Sequence, residues 1–270
     1  MIKIYFFFSV LLIGFLSCSN SQQPNDPIPV HETFTIDSKY VNEKRVITVW
    51  FPDEYKNSTD SLPVLYMLDG GIKEDFPHIA NTLAELIKAN KIKPIMLVGI
   101  ENTQRRRDLT PPTHVAKDKE IAPVVGGSAV FRQFIQEELI PEIQKKYRTT
   151  AKKGIIGESL AGLFVTETFL IAPEMFDFYI AFDPSLWWNN KQLLKDAPHH
   201  LKSFPGTAKS FWFAGSSAKD IFENTTALSK VLTSSILPNL KWNYSPEKKE
   251  AHHTIFRATK EKALIWSLNE

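Results

Sequence analysis

The chain has 270 residues, 43% hydrophobic and 12% aromatic, with 32 Lys+Arg against 30 Asp+Glu. A net charge of +2 is too small for the basic stripe that phosphate neutralisation demands, which excludes nucleic-acid binding as the main function. Cys18 is the only cysteine, which excludes an internal disulfide framework and a thiolate-rich metal site, and the length suits one large globular domain.

In chain order, Lys3 precedes an uncharged apolar run over 4–16. The run falls short of the roughly 20 residues that span a bilayer, so it reads as an export signal. It ends in Phe15-Leu16-Ser17-Cys18, which resembles a bacterial lipobox: cleavage before Cys18 would leave that residue free for lipidation. Ordinary signal cleavage beyond Ser19, giving a soluble periplasmic or secreted protein, is the alternative. The expected organisation is a signal peptide over 1–17, a polar tether over 18–29 and a single domain over 30–270, lipid-anchored at the cell envelope.

Beyond the tether, short apolar runs alternate with helical ones, the pattern of an α/β sheet. Strands are expected at 31–37, 45–51, 63–68, 94–100, 153–157, 178–182, 210–214 and 240–244. The first two flank a turn at Val41-Asn42-Glu43 and form an antiparallel hairpin, and the rest are mostly parallel with helices on both faces. Helices are expected at 77–90, 129–147, 160–171, 191–202, 221–235 and 255–268. In the second, Ser128 is the N-cap and Val130, Phe134, Ile135, Leu139 and Ile143 share the core face. The irregular stretch 101–127 is too long for an idle connection.

Gly157-Glu158-Ser159-Leu160-Ala161-Gly162 lies between an expected strand and an expected helix. Small residues two places either side of Ser159 are what a G-x-S-x-G nucleophile elbow needs, because its sharp turn brings strand and helix backbones together. In that geometry Leu160 N–H, at the helix N-terminus, points at a developing oxyanion. The competing reading makes Ser159 a simple helix cap.

A nucleophilic serine needs a base and an orienting acid, and in this fold they follow in the order Ser, acid, His. His252 and His253 precede the last helix, where the base belongs, whereas His199 and His200 read as solvated surface. The acid is expected after the penultimate strand, with Asp220 first and Glu223 in reserve, and Asp183 at the end of the preceding strand is a third candidate. A second oxyanion N–H is expected from Gly71, in Asp69-Gly70-Gly71-Ile72. No metal or other cofactor is expected.

With these segments in place, the sequence resembles the esterase D-like family of α/β-hydrolases, which includes siderophore esterases, feruloyl and acetyl xylan esterases, and mycolyltransferases. The resemblance runs from about Thr33 to Leu268 through Leu65-Tyr66-Met67-Leu68-Asp69-Gly70, Arg105-Arg106-Arg107-Asp108-Leu109-Thr110-Pro111, the Ser159 elbow, Pro184-Ser185-Leu186-Trp187-Trp188 and His252-His253-Thr254-Ile255. It implies Ser159 as nucleophile and His252 as base, because Thr254 matches a small hydroxyl residue two places beyond the family's histidine. Ala161 departs from the usual glycine. The resemblance also places the 101–127 loop beside the serine, so Arg105 or Arg107 either binds a substrate anion or braces the loop through Asp108. Of Trp187 and Trp188, one belongs to the core and the other lines the substrate site. The expected activity is serine-dependent ester hydrolysis through an acyl-enzyme, on a siderophore-type or carbohydrate-linked ester. The alternatives are an acyltransferase of the same fold and an inactive envelope binding protein.

Overall fold

The computed structural model describes residues 26–120 and 122–269, so the expected export signal over 1–17, Cys18 and residues 18–25 of the expected tether lie outside the described residues. Eight strands form one sheet in the order β1-β2-β4-β3-β5-β6-β7-β8: β1 (Glu32–Ser38), β2 (Glu43–Trp50), β3 (Leu62–Met67), β4 (Met96–Ile100), β5 (Thr149–Glu158), β6 (Phe178–Phe182), β7 (Lys209–Ser216) and β8 (Leu240–Glu247). β1 with β2, and β2 with β4, pair antiparallel, and every other pairing is parallel. This is the α/β-hydrolase architecture that the alternation of apolar runs implies. All five residues of β6 are buried, as a central strand covered on both faces must be.

The helices are α1 (Phe76–Lys88), α2 (Arg105–Leu109), α3 (Ala116–Glu120), α4 (Ser128–Phe134), α5 (Ile140–Lys146), α6 (Leu160–Ile171), α7 (Trp188–His200), α8 (Lys219–Ser234) and α9 (Ile255–Leu268). The apolar faces of α1 and α9 build one core against the sheet. Those of α4 to α8 build the other. Parallel strands joined by crossover helices send every β5, β6 and β7 C-terminus to one sheet edge, where the following turns converge.

Four local expectations give way to other structure. Gly127, not Ser128, is the residue before α4, and Ser128 Oγ is buried without a hydrogen-bond partner. The single helix over 129–147 is two helices joined by a π turn at Ile135–Leu139. Pro141, in the first turn of α5, has no N–H to continue the ladder, and the π turn absorbs that break. Val130 stays 42% exposed while Phe131 takes the core position. The helix expected at 191–202 starts earlier, and Asn189, Asn190 and Lys191 in its first turn have positive φ. The loop over 101–127 contains α2 and α3, helices too short to leave a periodic signature. At the other end, residues 26 and 27 of the expected tether lie on the body: Arg257 pairs with Asp26, and Asn81 Nδ2 donates to Pro27 O at 2.7 Å.

Candidate active site

Glu158 closes β5 and Leu160 opens α6, leaving one residue, Ser159, to reverse the chain. Its φ of 60° and ψ of −115° are a backbone conformation that costs a non-glycine residue roughly 1–3 kcal/mol and persists only where surroundings enforce it. They do so here. Ser159 N–H donates to Phe182 O at 2.9 Å, and Ser159 O accepts from Leu163 N at 2.9 Å and Ser185 N at 3.1 Å. A Cβ on Gly157 would lie 2.7 Å from both the carbonyl carbon and the Cβ of Ala161, and one on Gly162 would lie 2.7 Å from Phe182 O. The glycine requirement therefore falls at 157 and 162, and the buried methyl of Ala161 fits against Gly157. Leu160 N–H, as the first of α6, has no intrahelical acceptor.

β6 runs beside β5 with Glu158 opposite Phe182, so the next residue, Asp183, emerges next to Ser159. Asp183 is fully buried, with φ of 44°. Its Oδ1 accepts from Ser216 N–H at 2.6 Å, at the end of β7, and its Oδ2 lies 2.9 Å from His252 Nδ1. The bond from Asp183, acting against burial, raises the His252 pKa above its usual value. His252 is held by its own loop: Ser217 N–H and Oγ donate to Glu250 O at 2.9 and 2.8 Å, and Thr254 Oγ1 donates to Glu250 Oε2 at 2.7 Å while accepting from Ala251 N–H at 3.0 Å. The hydroxyl at Thr254 thus shapes the turn that presents the imidazole. His253 is exposed. Among the described residues, no hydrogen bond joins Ser159 Oγ to His252; Ser159 Oγ instead contacts Ser185 Oγ at 3.4 Å.

The structure therefore brings Asp183, not Asp220, to the imidazole. Asp220 is exposed, and its Oδ1 accepts from Ile221 N–H at 3.1 Å in the first turn of α8. Glu223 is exposed on the same helix. The carboxylate position after the penultimate strand is filled by a residue of the neighbouring strand, because Ser216 N–H turns back to hold Asp183.

The loop after β3 also departs from expectation. Gly71 N–H is not free: it donates to Glu74 Oε2 at 2.7 Å, and Glu74 N–H donates back to Gly71 O at 2.9 Å. Asn102 Nδ2 binds Glu74 Oε1 at 2.7 Å and Asp69 Oδ1 at 2.6 Å. Arg105 forks onto Asp69 through Nε at 2.6 Å and Nη2 at 2.7 Å, and Nη2 reaches Glu158 O at 3.4 Å. Arg105 thereby ties α2 to the elbow.

Arg107 braces the loop. It binds Asp108 Oδ1 at 2.7 Å and Glu43 Oε1 at 2.6 Å, and the buried Arg45 binds Asp108 Oδ2 at 2.7 Å from the other side. Burial alone would raise the Glu43 carboxyl, but bonds from Arg107, Thr103 and Arg45 hold it at about 2. Arg106 has no such partner among the described residues. Trp188 is the core tryptophan, its Nε1 donating to Pro111 O at 2.9 Å, and Trp187 beside it is half-buried.

Sequence reasoning passes over Glu158, the residue just before the serine in the elbow. Burial first, then the neighbouring Asp75, Asp183 and Asp69, push its carboxyl up to about 8 despite the opposing pull of His252. Asp75, half-buried near Asp69 and Glu74, is pushed up to about 6 by desolvation first and then by those carboxylates. A glutamate that closes a strand directly before a serine carries no mark of burial in the sequence.

A parallel-sheet edge presenting a serine on a strained strand–helix turn, with a buried aspartate bound to a histidine beside it, defines an α/β-hydrolase site. The family model described as "Putative esterase" matches residues 38–261, and the chain belongs to that family. It is 34% identical over 159 residues to the ferri-bacillibactin esterase BesA of Bacillus subtilis (strain 168), covering 52% of this chain and 53% of that protein. It is 29% identical over 199 residues to the siderophore triacetylfusarinine C esterase of Aspergillus fumigatus, covering 68% of this chain and 64% of that protein. The matches thus span about half to two-thirds of these relatives' lengths. Among solved structures, an IroE-like serine hydrolase from Shewanella oneidensis superposes with a TM-score of 0.80 at 24% identity, over 88% of this chain and 79% of that one. That similarity shows the shared fold.

Proposed function

We propose that this chain is a serine-dependent siderophore esterase. The observation that carries the reading is the Ser216–Asp183–His252 arrangement set beside Ser159, in a family whose curated relatives are named as siderophore esterases. Asp183 fixes the imidazole tautomer with its proton on Nδ1, leaving Nε2 as the base. Ser159 Oγ attacks the ester carbonyl and passes its proton to Nε2, and Leu160 N–H stabilises the oxyanion. The ester C–O bond then breaks, the leaving alkoxide takes the proton from Nε2, and the acyl group stays on Ser159. Water, deprotonated by the same nitrogen, releases the acid and restores the serine.

The serine–imidazole bond absent at rest forms when the ester seats, since such contacts tighten in the substrate complex. Gly71 N–H joins the oxyanion site only if Glu74 gives it up. The export signal over 1–17 and Cys18 support placement at the cell envelope by lipid anchor. The test is turnover of a macrocyclic siderophore triester, followed by chromatography and mass spectrometry. Stepwise ring opening by the wild-type chain and none by Ser159→Ala supports the reading; cleavage of simple aryl esters with no triester turnover refutes it.

A further inference from the structure

The arginine-rich loop suggests a site for anions, but its charges are largely spent within the protein. Arg105 is committed to Asp69, and Arg107 to Glu43 and Asp108. What surrounds Ser159 is instead a set of carboxyl groups contributed by three separate turns. Asp69 follows β3, Glu74 and Asp75 precede α1, Glu158 closes β5 and Asp183 follows β6. Asp183 is satisfied by Ser216 and His252, and Glu74 by Gly71 and Asn102. Glu158 differs: among the described residues its carboxyl group has no hydrogen-bond or ion-pair partner, although it adjoins the nucleophile and is only partly exposed.

Resting on the siderophore-ester reading, we propose that Glu158 is a specificity-determining residue that faces the bound substrate beside Ser159 and makes the site select an electroneutral siderophore ester over a polyanionic ferric complex. A partly buried carboxyl group without a partner is stable when protonated, and a protonated carboxyl donates a hydrogen bond to an uncharged carbonyl or hydroxyl oxygen. Three doubly charged catecholates around Fe(III) leave a trianion, whereas three singly charged hydroxamates leave a neutral complex. The trianion must approach Glu74, Asp75 and Asp183, while Arg105, the arginine tied to the elbow, is already paired with Asp69. The neutral complex meets no such repulsion.

The groups facing Glu158 are His252 from the turn before α9, Asp75 before α1, Asp183 after β6, Asp69 after β3 and the Arg105 guanidinium of α2. Their balance leaves Glu158 neutral at pH 7 and ionised above about 8. Ionisation adds one more negative charge beside the serine, so discrimination against a trianion should grow as pH rises through that range.

The test compares kcat/KM for three probes: a Fe(III)-loaded tris-hydroxamate triester, a Fe(III)-loaded tris-catecholate triester, and the latter iron-free at pH 6.5, where its catechols are largely protonated. Expected are a preference of about tenfold for both uncharged probes over the trianion near neutral pH, and a further increase of about fivefold in the hydroxamate-to-catecholate ratio by pH 9. In Glu158→Gln the pH-dependent increase should vanish, a change that a purely structural role would not produce. Equal or faster cleavage of the trianion overturns the proposal, as does a trianion preference lost in Arg106→Ala, or a ratio that climbs with pH as steeply in Glu158→Gln. If none of the three triesters is cleaved while a short-chain p-nitrophenyl ester is, the siderophore reading itself fails, a distinct outcome.

Discussion

Asp183→Asn tests the acid most sharply, because it preserves shape while removing charge. In the native site the Asp183 carboxylate takes two donors, Ser216 N–H at 2.6 Å and His252 Nδ1 at 2.9 Å, with no exposure to solvent. An asparagine keeping its oxygen on Ser216 turns its NH2 toward Nδ1, which forces the imidazole proton onto Nε2 and removes the base. In serine proteases built on the same three groups, the corresponding exchange costs about 10⁴ in kcat; here a loss of about 10³ to 10⁴ is expected, or about 4–5.5 kcal/mol of transition-state stabilisation. Losing the carboxylate also removes the main cause of the raised His252 pKa, so the acid limb of residual activity should move to lower pH. Asp220→Asn, which removes an exposed charge felt by the imidazole only through space, should change kcat by less than about threefold. Steady-state hydrolysis of p-nitrophenyl butyrate from pH 5 to 9 reads both. Near-wild-type activity in Asp183→Asn, or an equal loss in Asp220→Asn, would refute the assignment.

His252→Ala should lose at least about 10³ in kcat, whereas exposed His253→Ala should stay within about twofold; the same assay checks both. Arg107→Ala uncouples Glu43 and Asp108 and should destabilise by about 2–3 kcal/mol, lowering the calorimetric Tm by roughly 5–10 °C. Because the Glu43 carboxyl is depressed, its stabilisation is present above pH 4.5 and is lost as pH falls toward 2. The variant should therefore lose its stability deficit relative to wild type across that window. Gly157→Ala drives a methyl into the Ala161 backbone and should cost about 1–3 kcal/mol together with most of the activity. Ala161→Gly should cost about 1 kcal/mol of stability and leave kcat within about threefold.

The fold is legible in the sequence because its signals are local. The spans of β6, α6 and α9 follow directly from apolar run length and helical periodicity, and the antiparallel hairpin follows from its turn. The Ser159 turn is legible for a related reason: the close approach of Gly157 to Ala161 lies within five residues and leaves a mark in composition. Asp183 is harder to distinguish because its environment is tertiary. It depends on β6 lying between β5 and β7, which puts Ser216 N–H and His252 on one carboxylate. Asp220 occupies the position that chain order favours, yet the fold turns it to solvent. The arginines follow the same rule. Arg105 and Arg107 find Asp69 and Glu43 across 36 and 64 residues of sequence, so the triplet reads as basic while its charges are neutralised elsewhere. Glu74 is close to Gly71 in sequence, but the positive φ of Asp69 belongs to the turn that brings them together.

The central claim is that Ser159 is the nucleophile. The direct measurement is peptide mass spectrometry of the chain after reaction with a fluorophosphonate, beside Ser159→Ala. The account predicts one phosphonate adduct, on the peptide carrying Ser159, formed in step with loss of esterase activity and absent from the variant. An adduct on another residue that tracks inactivation, or ester hydrolysis retained by Ser159→Ala, would contradict it.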